Sequence, residues 1–104
     1  MKKSKVLLVE PDQAPRLVDV RLTLKAMQEM VGGCIQAVYP WDDPVALVCN
    51  EEGKYNGQSP NRALIHNGIA YDTIYGPFFI AGVDADDFTS VPDGLIQKYI
   101  RIFS

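Results

Sequence analysis

The chain has one histidine, one tryptophan and two cysteines in 104 residues. A lone histidine, His66, leaves little room for metal or acid–base sets that combine several imidazoles. Two cysteines, Cys34 and Cys49, are fewer than the four to eight that staple small secreted domains. Both sit in strand-like runs and read as reduced, buried, small apolar residues of a cytoplasmic protein. Neither sign of charge dominates: ten Lys and Arg against thirteen Asp and Glu give a net charge of −3. Backbone binding to nucleic acid needs clustered Lys and Arg that displace counterions, and these cations are scattered. The longest uninterrupted apolar run is Val45–Cys49. A membrane-spanning helix needs about 20 such residues, so no membrane partner is expected. The basic start Met1-Lys2-Lys3-Ser4-Lys5 precedes only four apolar residues. A secretory signal needs about 7–15, so this stretch reads as a buried first strand.

What is present suits one globular domain over residues 1–104. Hydrophobic residues make up 47% and charged residues 22%, enough to fill one core and too balanced for disorder. Lys5–Val9 reads as a strand, Glu10–Pro15 as a turn, and Arg16–Val20 as a returning strand. Thr23 can cap a helix over 24–31, because its hydroxyl accepts an orphan amide. Leu24, Met27 and Val31 place an apolar stripe on that helix. Gly32-Gly33 ends it, since glycine tolerates the left-handed conformation.

Cys34–Tyr39 and Val45–Cys49 read as an antiparallel hairpin around the Pro-flanked Trp41 loop. The second run lacks polar alternation, which predicts burial on both faces. Residues 50–62 form the longest polar, turn-rich stretch. Ala63-Leu64-Ile65 leads into His66-Asn67-Gly68, where Asn-Gly suits a type I′ turn. Phe78–Val83 is a strong strand ended by Asp84–Asp87. A last helix is predicted over 92–103, with Ser90 and Asp93 as a reciprocal cap. Its apolar stripe is Leu95, Ile96, Tyr99, Ile100 and Phe103. The expected fold is therefore α+β: a mainly antiparallel sheet of five to six strands, with two principal helices packed on one face. The expected core comprises Leu24, Met27, Val31, Leu47, Phe79, Leu95, Tyr99, Ile100 and Phe103.

No pattern in the sequence assembles a reaction. Nucleophilic catalysis needs a nucleophile, a base and an orienting group in contact. His66 reads as a turn residue, and both cysteines read as buried, which disfavours the thiolate. Asp84, Asp86 and Asp87 lack the offsets of a calcium loop. No glycine-rich loop leads into a helix, so no phosphate cradle is predicted. Glu51 and Glu52 are neighbours on a turn and point to water. The chain is expected to be non-enzymatic, with no cofactor and no metal; the minor alternative is an enzyme of unrecognised type that would have to use water activated by Glu51 or Glu52.

Two features are binding candidates. Trp41 either offers an aromatic contact or folds back over the sheet. Asn50, Glu51, Glu52 and Lys54, with Asn61 and Arg62, concentrate amide, carboxylate and guanidinium groups on a surface segment. Arg62 has a planar, always-charged donor fork suited to carboxylate or phosphate. The competing role for it is a hydrogen bond that ties the loop down. A protein partner is the first expectation. A small nucleotide is the second, met by Lys54 and Arg62 with Tyr55 or Trp41 stacking on a base.

Several words of this sequence occur together in a known order. They are Val9-Glu10-Pro11, Val31-Gly32-Gly33-Cys34-Ile35, the run from Ala46 through Cys49-Asn50 to Lys54, Pro60-Asn61-Arg62-Ala63-Leu64, Gly76-Pro77-Phe78-Phe79-Ile80 and Asp87-Phe88-Thr89-Ser90. In this order the chain resembles a family of short proteins catalogued only as a domain of unknown function, frequent in phages, plasmids and integrative elements of Firmicutes. The resemblance brings no activity and no catalytic residue. It implies a cytoplasmic protein of mobile DNA, in a setting where small acidic proteins often act by binding. Blocking a host defence protein is one such role and sequestering a nucleotide is another.

Overall fold

A computed structural model describes residues 3–104, so Met1-Lys2 of the basic start lie outside the described residues. The elements in order are β1 (Ser4–Val9), β2 (Arg16–Val20), α1 (Leu24–Val31), β3 (Ile35–Val38), β4 (Val45–Asn50), β5 (Pro60–His66), β6 (Ile69–Tyr75), β7 (Phe78–Asp84), β8 (Asp87–Thr89) and α2 (Ile96–Phe103). A 3-10 turn at Asp93–Leu95 leads into α2. The main sheet is antiparallel, in the order β2-β1-β7-β4-β3, and β8 folds back on β7. β5 and β6 form a separate two-stranded sheet. Six strands in one antiparallel sheet and two principal helices match the expected class.

The placement of the helices does not match. Strand side chains alternate between faces. Leu7, Val9, Leu47, Phe78 and Ile80 fall on one face, in a core shared with Tyr99 and Phe103 of α2. Val6, Val48, Phe79 and Ala81 fall on the other, in a core shared with Met27 and Val31 of α1. The two helices therefore cover opposite faces. The physical reason lies in β1, β4 and β7. Each is apolar at both parities, and all six residues of β4 are buried. A sheet with two apolar faces needs two covers. Leu64 of β5 and Ile74 of β6 add to the cover on the α2 side.

Local chemistry sets the ends of the elements. Thr23 accepts from the Ala26 amide at 3.1 Å, as expected of the cap. Gly32 adopts φ 79° and donates to the Gln28 carbonyl at 2.8 Å. Asn67 and Gly68 both take positive φ, 51° and 77°, as a type I′ turn requires. Four details differ from expectation. Ser90 makes no helix cap; its hydroxyl accepts from the Lys5 amide at 2.9 Å and holds the chain to β1. Leu24 is 58% exposed, because it starts a helix whose buried stripe is Met27 and Val31. Leu95 and Ile100 are half-buried rather than enclosed. Cys34 precedes β3 and is exposed, whereas Cys49 is buried.

Phe103 is the deepest side chain of the last turn. It is 1% exposed and packs edge-on against Phe78, with ring centroids 5.1 Å apart. Phe103→Ala is expected to cost on the order of 3–5 kcal/mol, from lost transfer energy plus the cavity left behind. Urea unfolding measures it; a loss below about 1 kcal/mol would mean that the last turn contributes little to the core.

Candidate functional site

The polar segment 50–62 has most of its hydrogen-bonding capacity directed inward. Asn50 is 6% exposed; its amide nitrogen donates to the Val31 carbonyl at 3.1 Å, and its side-chain oxygen accepts from the Glu52 amide at 2.7 Å. Asn61 donates to the carbonyls of Val9 and Gly76, both at 2.9 Å. Arg62 uses all three guanidinium nitrogens. Nε donates to the Phe103 carbonyl at 2.9 Å, one Nη to the Asn61 side-chain oxygen at 2.8 Å, and the other Nη to the Gln13 carbonyl at 2.6 Å. Arg62 thus ties β5 to the end of α2 and to the turn after β1. Lys54 pairs with Asp72 of β6. Glu51 and Glu52 are exposed.

Gln58 carries no site signal in the sequence. Its amide nitrogen donates to Val31 at 3.1 Å, beside Asn50, and its Oε1 is buried without a partner among the described residues. The side chain fills a slot at Gly76, where a Cβ would collide with Oε1. Gly76 also has φ 77°, so two constraints select glycine there. In the sequence Gly76-Pro77 reads as a break before the Phe78 strand, and nothing local marks the slot that Gln58 fills.

Trp41 folds back over the sheet. Its ring lies edge-on to Tyr99, with centroids 4.7 Å apart, and to Phe103 at 5.9 Å. Asp43 fixes this loop: the Tyr99 hydroxyl and the Lys98 ammonium both donate to Asp43 Oδ2 at 2.5 Å. Those donors hold the Asp43 carboxyl below its ordinary value of 3.8. Burial, and then the bond to Asp43, push the Tyr99 phenol well above its usual range.

A polar and an apolar depression flank the β5–β6 hairpin, and a further one of about 370 Å³ along β6 shares Lys54, Asp72, Thr73 and Tyr75 with the polar one and Tyr71 with the apolar one. The polar one, about 260 Å³, lies between β3, the 50–55 turn and β6. Gln36, Asn50, Glu51, Lys54, Tyr55 and Asp72 line it, with Cys49 at its base. Burial pushes the Cys49 thiol up, and the Asp72 charge adds to the shift, so the thiolate is disfavoured there. The apolar depression consists of adjoining clefts of about 480 and 270 Å³ that share Pro40, Ile65 and Tyr71. His66, Asn67 and Ile69 line the outer cleft, while Trp41, Leu64, Ile102 and Phe103 line the inner one.

The pairing of the hairpin explains how these side chains are aimed. Leu64 faces Asp72 and Ile65 faces Ala70, which leaves Tyr71 as an extra residue. Pro60 faces Tyr75 and Arg62 faces Ile74, which leaves Asn61 extra in the same way. A bulge bends the strand and re-aims a side chain. Asn61 reaches the backbone of β1, and Tyr71 lines the cleft. Of the predicted binding residues, Trp41 belongs to the apolar groove. Asn50, Glu51 and Lys54 belong to the polar pocket, and Asn61 and Arg62 to the hairpin's anchorage. Ile65, Ile69, Tyr71 and Ile102 carried no site signal in the sequence, where they read as ordinary strand and helix residues. Among the described residues no three His, Cys, Asp or Glu side chains are grouped to hold a metal ion, and no helix is long and apolar enough to cross a membrane.

Two outcomes follow from the anchorage. Arg62→Ala strips donors from the Phe103 and Gln13 carbonyls and should cost about 1–3 kcal/mol. For a chain this size that is a melting-temperature fall of roughly 4–8 °C per kcal/mol, read by calorimetry. An unchanged melting temperature would contradict the structural role. Asp43 has a folded-state pKa below its unfolded one. Its contribution is complete above the unfolded value and is lost as pH falls through the folded one. The melting temperature of the wild type should therefore fall more steeply than that of Asp43→Asn between about pH 5 and pH 2. Parallel curves would show that the Lys98–Asp43–Tyr99 contact contributes nothing.

No curated protein and no solved structure matches the chain. The family model described as Domain of unknown function (DUF3846) matches residues 1–104, and the chain belongs to that family.

Proposed function

We propose that this chain is a non-enzymatic binding protein that acts through protein contacts made by its apolar groove. The supporting observation is the concentration of exposed apolar surface. Among the described residues eight large hydrophobic side chains are exposed. Four of them, Ile65, Ile69, Tyr71 and Ile102, line the two adjoining clefts. Isolated exposed apolar residues need no explanation, but a contiguous patch marks an interaction site. The groove floor is rigid, because Trp41 is wedged against Tyr99 and Phe103. A rigid aromatic floor with an apolar rim suits the anchor residue of a partner protein.

The nucleotide reading is the weaker one on chemical grounds. The polar pocket sets Glu51 and Asp72 against the single ammonium of Lys54, and Lys54 is already paired with Asp72. Arg62, the other cation considered for phosphate, bonds to backbone carbonyls and Asn61. A phosphate would meet two carboxylates and no free cation among these residues. The setting we propose is the cytoplasm of a bacterium carrying a mobile element, with a host or element protein as partner, a defence protein in particular. That setting rests on the family resemblance and not on any residue of the groove.

A photo-crosslinking residue placed at Tyr71, and separately at Leu24, tests the groove. Both positions are exposed, and they lie on different elements. Expressed in the native host, the chain should form a discrete cross-linked species from Tyr71 and none from Leu24. Ile69→Lys should abolish that species while leaving the melting temperature nearly unchanged. Equal cross-linking from both positions, or none from Tyr71, would count against the groove.

A further inference from the structure

The main sheet ends in two edges that differ in how they are guarded. β2 carries Arg16 and Asp19, with Arg21 just beyond, and all three are exposed. Charges on an edge strand deter pairing with another chain. The other edge, β3 with its flanks from Cys34 to Tyr39, carries no charge and no proline. Tyr39 is 62% exposed.

The hydrogen-bonding state of this edge follows from one contact. The Glu51 amide donates to the Cys34 carbonyl at 2.8 Å. In an antiparallel pair the N–H and C=O of one residue point to the same side, and the side alternates along the strand. Cys34, Gln36 and Val38 therefore turn their backbone groups toward β4. Ile35, Ala37 and Tyr39 turn theirs outward, where they have no hydrogen-bond partner among the described residues. Backbone groups in that arrangement fit a β-strand.

We infer that β3 pairs with β3 of a second copy of this chain, antiparallel, about a two-fold axis through Ala37. In this register Ala37 faces Ala37 of the second copy, and Ile35 faces Tyr39 of the second copy. Each of these pairs matches an outward-pointing residue with another outward-pointing residue, so each exchanges both N–H···O bonds. The register also pairs a half-buried isoleucine with an exposed tyrosine at both ends. Cross-strand aromatic and β-branched pairs of this kind are stabilising. Alanine at the axis is small enough for close approach. This self-complementarity favours a second copy over a foreign strand. The two sheets become one, and the apolar groove behind Pro40 is then present twice in one assembly. The inference stands whether or not the groove binds a protein.

Sedimentation of the purified full chain from about 1 µM to about 1 mM tests it. The wild type should show the mass of a dimer in the upper part of that range. Ala37→Pro removes an outward N–H and leaves the bonds to β4 in place, which an edge strand tolerates. Tyr39→Lys adds charge at the same edge without touching the core. Both variants should raise the dissociation constant at least about tenfold while keeping the circular dichroism of the wild type. If Ala37→Pro does not fold, Tyr39→Lys alone decides. Ile69→Lys, which alters the groove, should leave the dimer intact. A wild type that stays monomeric throughout the range would overturn the inference. So would a dimer that survives the edge variants, or one that Ile69→Lys dissociates.

Discussion

Three strands that are apolar on both faces govern this structure. β7 lies between β1 and β4, and from Phe78 to Gly82 every one of its residues is buried. A sheet built this way exposes nothing of its centre only if both faces are covered, and each buried side chain of this kind is worth about 1.5–3 kcal/mol. The described residues supply two α-helices of eight residues each. One short helix does not span a five-strand face. On the α2 side the Trp41 loop and the β5–β6 hairpin complete the cover. The hairpin therefore has an inner side set by the core, with Leu64 and Ile74. Its other side chains are free of that duty, and there the exposed apolar residues collect.

The polar segment 50–62 is explained by the same constraint. The last carbonyls of a helix have no partner within the helix. Val31 ends α1 and Phe103 ends α2, and side chains of this segment satisfy both: Asn50 and Gln58 at Val31, Arg62 at Phe103. Asn61 adds bonds to Val9 of β1 and to Gly76 before β7. A single stretch thus fastens both covers to the sheet by donating to backbone oxygens. Groups that look suited to a ligand when read in sequence are largely committed to the fold. The exposed apolar side chains beside it are not committed to the fold in this way.

Much of this was legible in order but not in arrangement. The positions of β1 to β4 and of β7, the Thr23 cap, the Gly32 stop and the Asn67-Gly68 turn follow from local chemistry, which neighbouring residues report; β6 and β8 do not read as strands in the sequence. The unbroken Val45–Cys49 run even signals a strand buried on both faces. That signal is incompatible with two helices on one face, and the periodicity of a helix does not say which face it covers. The hairpin between β7 and β8 was hidden because its turn uses Ala85 and Asp86 at positive φ, where glycine or asparagine would announce it. The bonds of Arg62 span 41 and 49 residues, so no window around Arg62 contains its partners. The groove was illegible for a related reason. Ile65, Tyr71 and Ile102 are unremarkable in their own strands and helix, and become a surface only when bulges and docking bring them together.

We propose contact through the groove and not through the polar segment. The isoleucine methyl groups report on both. Ile65, Ile69 and Ile102 line the groove, Ile74 lines the polar pocket, and Ile35 lies in β3. Methyl NMR spectra of the labelled protein, in buffer and in extract of the native host, compare them directly. Shift changes are expected at Ile65, Ile69 and Ile102, with Ile74 unmoved. Changes at Ile74 with the groove methyls unmoved would contradict contact through the groove.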